Sequence, residues 1–242
     1  MATEHVRDHQ RSRHLPASPE QAPPAESVGE RYLRLVNTSA SLERVNAFSD
    51  AVFAIAMTIL VLELHVPDVE PVDLPSALLG LVPRYLTFAL SFAVVGLIWL
   101  SHHRKFGLLE RHDQTLLRLN LLLLLLVASL AVPTALLGDH GDQVISVVIY
   151  ACLICGIGFL MTGMWAYAWA RGFIEQQVDD AVRRLILIQS LIIPAAFLIS
   201  IPVAVIGGAT AGEITWALAL PATFLFRLIR GRATDAPERT TP

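Results

Sequence analysis

RVNAFSDAVFAIAMTILVLEL, residues Arg44 to Leu64, decides how the rest of the chain is read. The segment is long and apolar enough to cross a bilayer, which takes about 20 such residues in a helix. Yet Arg44, Asn46, Ser49 and Asp50 crowd one end of it, and Glu63 stands at the other. An unpaired charge at the centre of a span costs up to ~3 kcal/mol on insertion scales, and less nearer the interface. Asp50, about a turn and a half inside the span, therefore needs partners.

The composition places the chain in lipid. Hydrophobic residues make up 54% and charged residues 16% of the 242 residues, and the mean hydropathy is +0.56, outside the range of soluble globular domains. A net charge of −3 gives no sign of a nucleic-acid partner. Residues 1–38 are polar and proline-bearing, lack apolar periodicity and an apolar core like that of a secretory signal, and read as a disordered tail. Residues 231–242 form a second short tail. Between them, within 39–230, lie six apolar stretches at about 45–64, 84–101, 117–137, 144–170, 185–206 and 213–229. The fold expected is all-α, a polytopic membrane protein with six transmembrane helices per subunit.

The connecting loops alternate in charge. HVPDVEPVDLPSALLGLVP (65–83) carries Asp68, Glu70 and Asp73 and no Lys or Arg. The next loop carries Arg104, Lys105, Arg111 and Arg118. GDHGDQ is acidic, residues 171–184 carry Arg171, Arg183 and Arg184, GGATAGE holds only Glu213, and the last span ends in Arg227, Arg230 and Arg232. By the positive-inside rule the basic loops and both termini are expected on the cytoplasmic side of a multi-pass cell-membrane protein.

That orientation supplies candidate partners for Asp50 at its own depth: Trp99 and His102 at the cytoplasmic end of the second span, and Asn120 at the start of the third. An indole N–H, an imidazole and an amide are the inventory a buried carboxylate requires. Arg44 lies six positions from Asp50, about 240° around a helix, so the two point to different neighbours. The alternative is that Ser49 and Asp50 satisfy the amides of a helix N-terminus. His103 and His112 are expected in a solvated basic loop.

Other features carry less chemistry. Cys152 and Cys155 form a C-x-x-C inside an apolar span without a second ligand pair, a poor basis for zinc or redox work. Ala151, Cys155, Gly158 and Thr162 form instead a small-residue stripe that lets another helix approach. Pro133, Pro194 and Pro202 can kink their spans. The sequence has no nucleophile elbow, phosphate-binding glycine loop or metal-ligand cluster, so an enzyme is not expected and no cofactor is implied.

Arg44, Phe48, Ser49 and Asp50 spell R-x-x-x-F-S-D at the start of the first span. The pattern resembles that of the transmembrane protein 175 family of potassium channels, endolysosomal in animals and widespread in prokaryotes. The W-x-x-H of Trp99 and His102, and the LN of Leu119 and Asn120, stand where that family places them. The resemblance covers about Arg44 to Arg230, and its specific motifs lie in the first three spans. Animal members resemble two six-span repeats in one chain. A single repeat, with no second FSD motif, implies a homotetramer in the bilayer with potassium as the permeant ion. The resemblance also implies a pore lined by the first span, narrowest at an apolar residue five positions beyond the aspartate, which is Ile55. Thr58 and Leu62 share that helical face, and four copies would stack rings of Ile, Thr and Leu.

The sequence contains no TVGYG-like segment, so selection by side-chain rings, pore radius and dewetting would replace a carbonyl-lined filter. Two other classes compete with a passive channel. One is a proton-coupled secondary transporter with Asp50 and His102 as a protonation relay, although the paired broken helices of many transporters are missing. The other is a non-conducting scaffold whose polar cluster only fixes packing.

Overall fold

The computed structural model describes residues 39–64 and 68–218, together with residues 27 and 29. The expected N-terminal tail lies almost wholly outside the described residues. So do the C-terminal tail and the sixth stretch beyond 218.

Helix α1 (Ser39–Ile59) tightens into a 3-10 turn at Leu60–Glu63. Next come a short α2 (Leu74–Gly80), α3 (Val82–Phe106), α4 (Gln114–Ala128), α5 (Ala131–Asp139), α6 (Val144–Ala170) and α7 (Asp180–Gly207), and then a helix α8 at 209–218. Taken together, α2–α3 and α4–α5 each make one membrane-length segment, giving five spans long and apolar enough to cross among the described residues. The chain is a multi-pass membrane protein. α8 takes in the first part of the expected sixth span, residues 213–218.

Local chemistry sets the breaks. Pro83 sits in the first turn of α3, where its missing N–H is not needed, so the chain turns at Leu81 before it. Pro133 cannot donate to the carbonyl of Ser129 and its ring crowds that group, so the third span breaks at Ser129–Leu130. The Ser129 carbonyl accepts from Val132 N–H at 3.3 Å instead. Helix α3 outruns the expected second span. At 25 residues it is about 37 Å long, against a hydrocarbon core of about 30 Å. Its last turn carries His103, Arg104 and Lys105, cations that suit a helix C-terminus.

Two expectations are corrected here. His103 belongs to α3 rather than to a loop, and His112 is buried, not solvated. Burial pushes the pKa of His112 down, against the pull of neighbouring Asp113.

The loops at this basic end are joined. Glu110 N–H donates to Phe173 O at 2.9 Å and Glu175 N–H to Leu108 O at 3.0 Å, around an antiparallel bridge between Leu109 and Ile174. Gly172, at φ 65°, makes the turn that presents Phe173. Asp113 anchors the clasp: it caps α4 through Leu116 N–H at 2.8 Å, accepts from the Tyr167 hydroxyl and lies 3.7 Å from Arg171. Burial raises its pKa, but the Tyr167 hydroxyl, the backbone amides and Arg171 outweigh that and hold it below the ordinary carboxylate value.

Elsewhere the core is close-packed. A Cβ on Gly158 would meet Pro194 at 2.7 Å, and Cys155 Sγ lies 3.3 Å from the Pro194 carbonyl. The small-residue stripe on α6 is thus the seat for the proline of α7. Toward the other end Thr134 donates to Ser91 at 2.9 Å, Ser91 lies 3.0 Å from the Tyr150 hydroxyl, and Arg84 pairs with Asp139 at 2.9 Å. Trp216 of α8 is fully buried against Tyr150 and Phe197, with its indole on Ser200 at 2.7 Å.

Candidate functional site

Three helices meet at the FSD segment. Ser49 Oγ donates to the Val45 carbonyl at 2.8 Å, Asn120 Nδ2 donates to Ser49 Oγ at 2.9 Å, and His102 Nε2 lies 2.9 Å from Asn120 Oδ1. With the Asn120 amide oriented by its donation to Ser49, its oxygen must accept, so His102 carries the proton on Nε2. The chain of bonds ends on a backbone carbonyl. Its three members Ser49, His102 and Asn120 are at most 2% exposed, and the imidazole lies between Phe53 at 5.4 Å and a stacked Phe106 at 4.1 Å. In a lipid-facing protein such groups have no water to fall back on, so the bonds tie α1, α3 and α4 in one rotational register.

Asp50 makes a separate contact. Trp99 Nε1 donates to Asp50 Oδ1 at 2.8 Å, and His103 Nδ1 stands 3.7 Å from Oδ2, with the Trp99 and His103 rings 5.6 Å apart. Of the three expected partners only Trp99 reaches the carboxylate. His102 and Asn120 serve Ser49 instead. His103 is the neighbour that sequence reasoning missed, because the second span was ended too early. Continuing the helix by one turn puts His103 at i+4 from Trp99, on the same face. The helix-cap alternative is excluded: α1 begins at Ser39, and Asp50 lies in its fourth turn, beyond the unpaired amides of the helix start.

This lock uses one side of α1. Ser49, Phe53, Ala56 and Leu60 are buried, whereas Phe48, Ile55, Thr58 and Leu62 form a stripe on the other side. Ile55 is 56% exposed and Leu62 65%. Arg44 lies on that stripe and not beside Asp50. It borders an open cavity of about 490 Å³ with Phe48 and Gln114. Thr58 Oγ1 donates to the Ile55 carbonyl at 2.8 Å, so its proton is spent on the backbone and its lone pairs remain for the stripe.

A multi-pass helical bundle whose first span is polar-locked on one side and bare on the other is the class defined by these contacts. Residues 44–133, which hold the whole lock, match the family model described as the endosomal/lysosomal potassium channel TMEM175. A potassium channel of Chamaesiphon minutus is 42% identical over 143 residues, 56% of this chain and 70% of that protein. A potassium channel of Streptomyces collinus is 35% identical over 147 residues, 58% of this chain and 71% of that one. The endosomal/lysosomal proton channel TMEM175 of Bos taurus is 35% identical over 159 residues, but these amount to 33% of its length. The crystal structure of a lysosomal potassium-selective channel TMEM175 homolog from Chamaesiphon minutus superposes with a TM-score of 0.68 at 33% identity, covering 77% of this chain and 98% of that one. The chain belongs to the TMEM175 family. These relatives are named as ion channels, not enzymes.

The lock predicts a coupled stability effect. Asn120→Ala orphans the buried His102 N–H and should lower the unfolding free energy of the purified protein by about 1–3 kcal/mol. Ser49→Ala should cost less, because one Asn120 N–H loses its acceptor. The double variant should lose less than the sum in thermal melts, since both changes break the same chain. Strict additivity would show that the two residues act independently.

Proposed function

We propose that this chain is the subunit of a potassium-permeable channel in which four copies set α1 around a central axis. The observation that carries the reading is the stripe of Arg44, Phe48, Ile55, Thr58 and Leu62, left uncovered while the opposite face of α1 is bonded to α3 and α4. Membership of the TMEM175 family, with relatives named potassium channels, supports it. Exposure alone would suit lipid equally well. The charged Arg44 and the acceptor lone pairs of Thr58 on the same face favour an aqueous path.

In this assembly four Ile55 side chains form the narrowest ring. They offer an ion no dipole, so conduction requires the ring to widen and wet, and expulsion of water closes it. Thr58 follows as a ring of oxygen acceptors able to meet a cation or its hydration shell, and Leu62 as a second apolar ring. Selection then rests on side-chain rings rather than on a carbonyl filter. The competing transporter mechanism lacks its relay: Asp50 bonds to Trp99 while His102 bonds to Asn120, and no hydrogen bond joins the two titratable groups.

Orientation follows from loop charge, with both termini and the clasp of residues 107–113 and 171–178 in the cytoplasm. In a background lacking Cys152 and Cys155, an impermeant thiol reagent applied to intact cells should label Ser76→Cys and spare Gln114→Cys. Reversed labelling would invert the topology.

The constriction is tested by Ile55→Asn. Polar side chains at the narrowest ring should raise the basal cation current and bring the reversal potential under a potassium/sodium gradient nearer that of a non-selective pore, read in planar bilayers. Thr58→Ala should act more mildly. Unchanged current and reversal potential in Ile55→Asn, with changes in the control Met57→Leu, would place the pore on another face.

A further inference from the structure

Helix α7 packs along α6, whereas α3 packs mainly on α1 and α5, touches α6 at only a few positions and makes few direct contacts with α7. The cleft between α3 and α7 holds a cavity of about 220 Å³ at the basic end of the bundle, bordered by the polar Ser101, Arg104, Lys105, Gln189 and Ser190 and by the apolar Leu108 and Ile186. A second, smaller cavity of about 30 Å³ shares Ser101, Lys105, Gln189 and Ser190 and continues to Ile98, Ile154 and Pro194. Along α3 the sequence runs toward the basic end, and along α7 away from it. Ile98 therefore lies deeper than Arg104, and Pro194 deeper than Gln189. Toward the basic end the cleft thus mixes cationic and polar side chains with Leu108 and Ile186, and one to two turns further in its lining is mostly apolar.

We infer that this cleft binds an anionic phospholipid of the cytoplasmic leaflet, with its phosphate at Arg104 and Lys105 and an acyl chain along the apolar floor. Arg104 is exposed and stands at the rim, while Lys105 lines the wall. The Gln189 amide can donate to a phosphate oxygen. The Ser190 hydroxyl, which donates to Ile186 O at 2.6 Å, offers its lone pairs to a headgroup hydroxyl. A soluble anion would leave the apolar floor unused, and an apolar helix from another protein would bring no negative charge to the exposed Arg104. The graded lining fits an amphiphile whose head is negative, the match expected of basic pockets between helices at the cytoplasmic face.

The inference rests on the proposed orientation but not on conduction, so binding rather than current tests it. Purified full-length protein is titrated by native mass spectrometry with phosphatidylglycerol and with phosphatidylcholine of the same acyl chains. Phosphatidylglycerol should bind more tightly, and Arg104→Gln should weaken it about fivefold, the effect of one basic residue at a lipid surface. Arg118→Gln, at the same end of the bundle but outside the cleft, should leave the preference intact. Ser190→Phe, which fills the cavity without changing charge, should remove the bound lipid, and it carries the test if Arg104→Gln does not purify. Equal affinity for the two lipids overturns the inference. So does an equal loss in Arg118→Gln, full binding in Ser190→Phe, or displacement of the lipid by inorganic phosphate at matching concentration.

Discussion

A polar side chain on a lipid-embedded helix has to find its partners in protein, and that requirement orders this bundle. Ser49 and Asp50 sit side by side on α1 but are served by different donors, Asn120 of α4 and Trp99 of α3. Two bonds from two helices leave α1 neither free to rotate nor free to slide. The face opposite Ser49 is then determined as well, because residues three and seven positions apart follow the same helical row. The exposure of Ile55 and Leu62 is a consequence of where Ser49 and Asp50 are held.

The rest of the bundle supports that register. His102 stacks on Phe106 and packs against Phe53, and these ring contacts together with its bond to Asn120 hold the imidazole in place. The clasp of residues 107–113 and 171–178 holds the ends of α3 and α4 against α6 through backbone bonds and Asp113. At the opposite end Arg84 and Asp139 join α3 to α5. Between these layers the helices pack through small residues, with Gly158 accepting Pro194 where any side chain would collide.

Much of this was legible in the sequence, and the remainder failed for identifiable reasons. Spans of about 20 apolar residues are read directly from composition, and Ser49, Asp50, Trp99, His102 and Asn120 could be grouped by depth. Depth alone could not pair them. Which of Trp99 and Asn120 reaches Asp50 depends on the rotation of α3 and α4 by a fraction of a turn, which apolar periodicity sets weakly when both faces are apolar. The end of the second span was misjudged because His102 to Lys105 look like loop residues to a hydropathy scale, although cations suit a helix C-terminus. The clasp between Leu109 and Ile174 is made by backbone groups and left no side-chain signature. The stripe on α1 was legible as a helical face, but its exposure in the subunit required the lock to be seen.

The most direct test of the link between lock and pore is silver-ion accessibility of single cysteines in a channel lacking Cys152 and Cys155. Current through Ile55→Cys and Leu62→Cys should be blocked by silver ions, which follow the path of a small cation. Current through Ala56→Cys, one residue away but on the buried face, should persist. Block at Ala56→Cys with Ile55→Cys and Leu62→Cys spared would contradict the register that Ser49 and Asp50 impose.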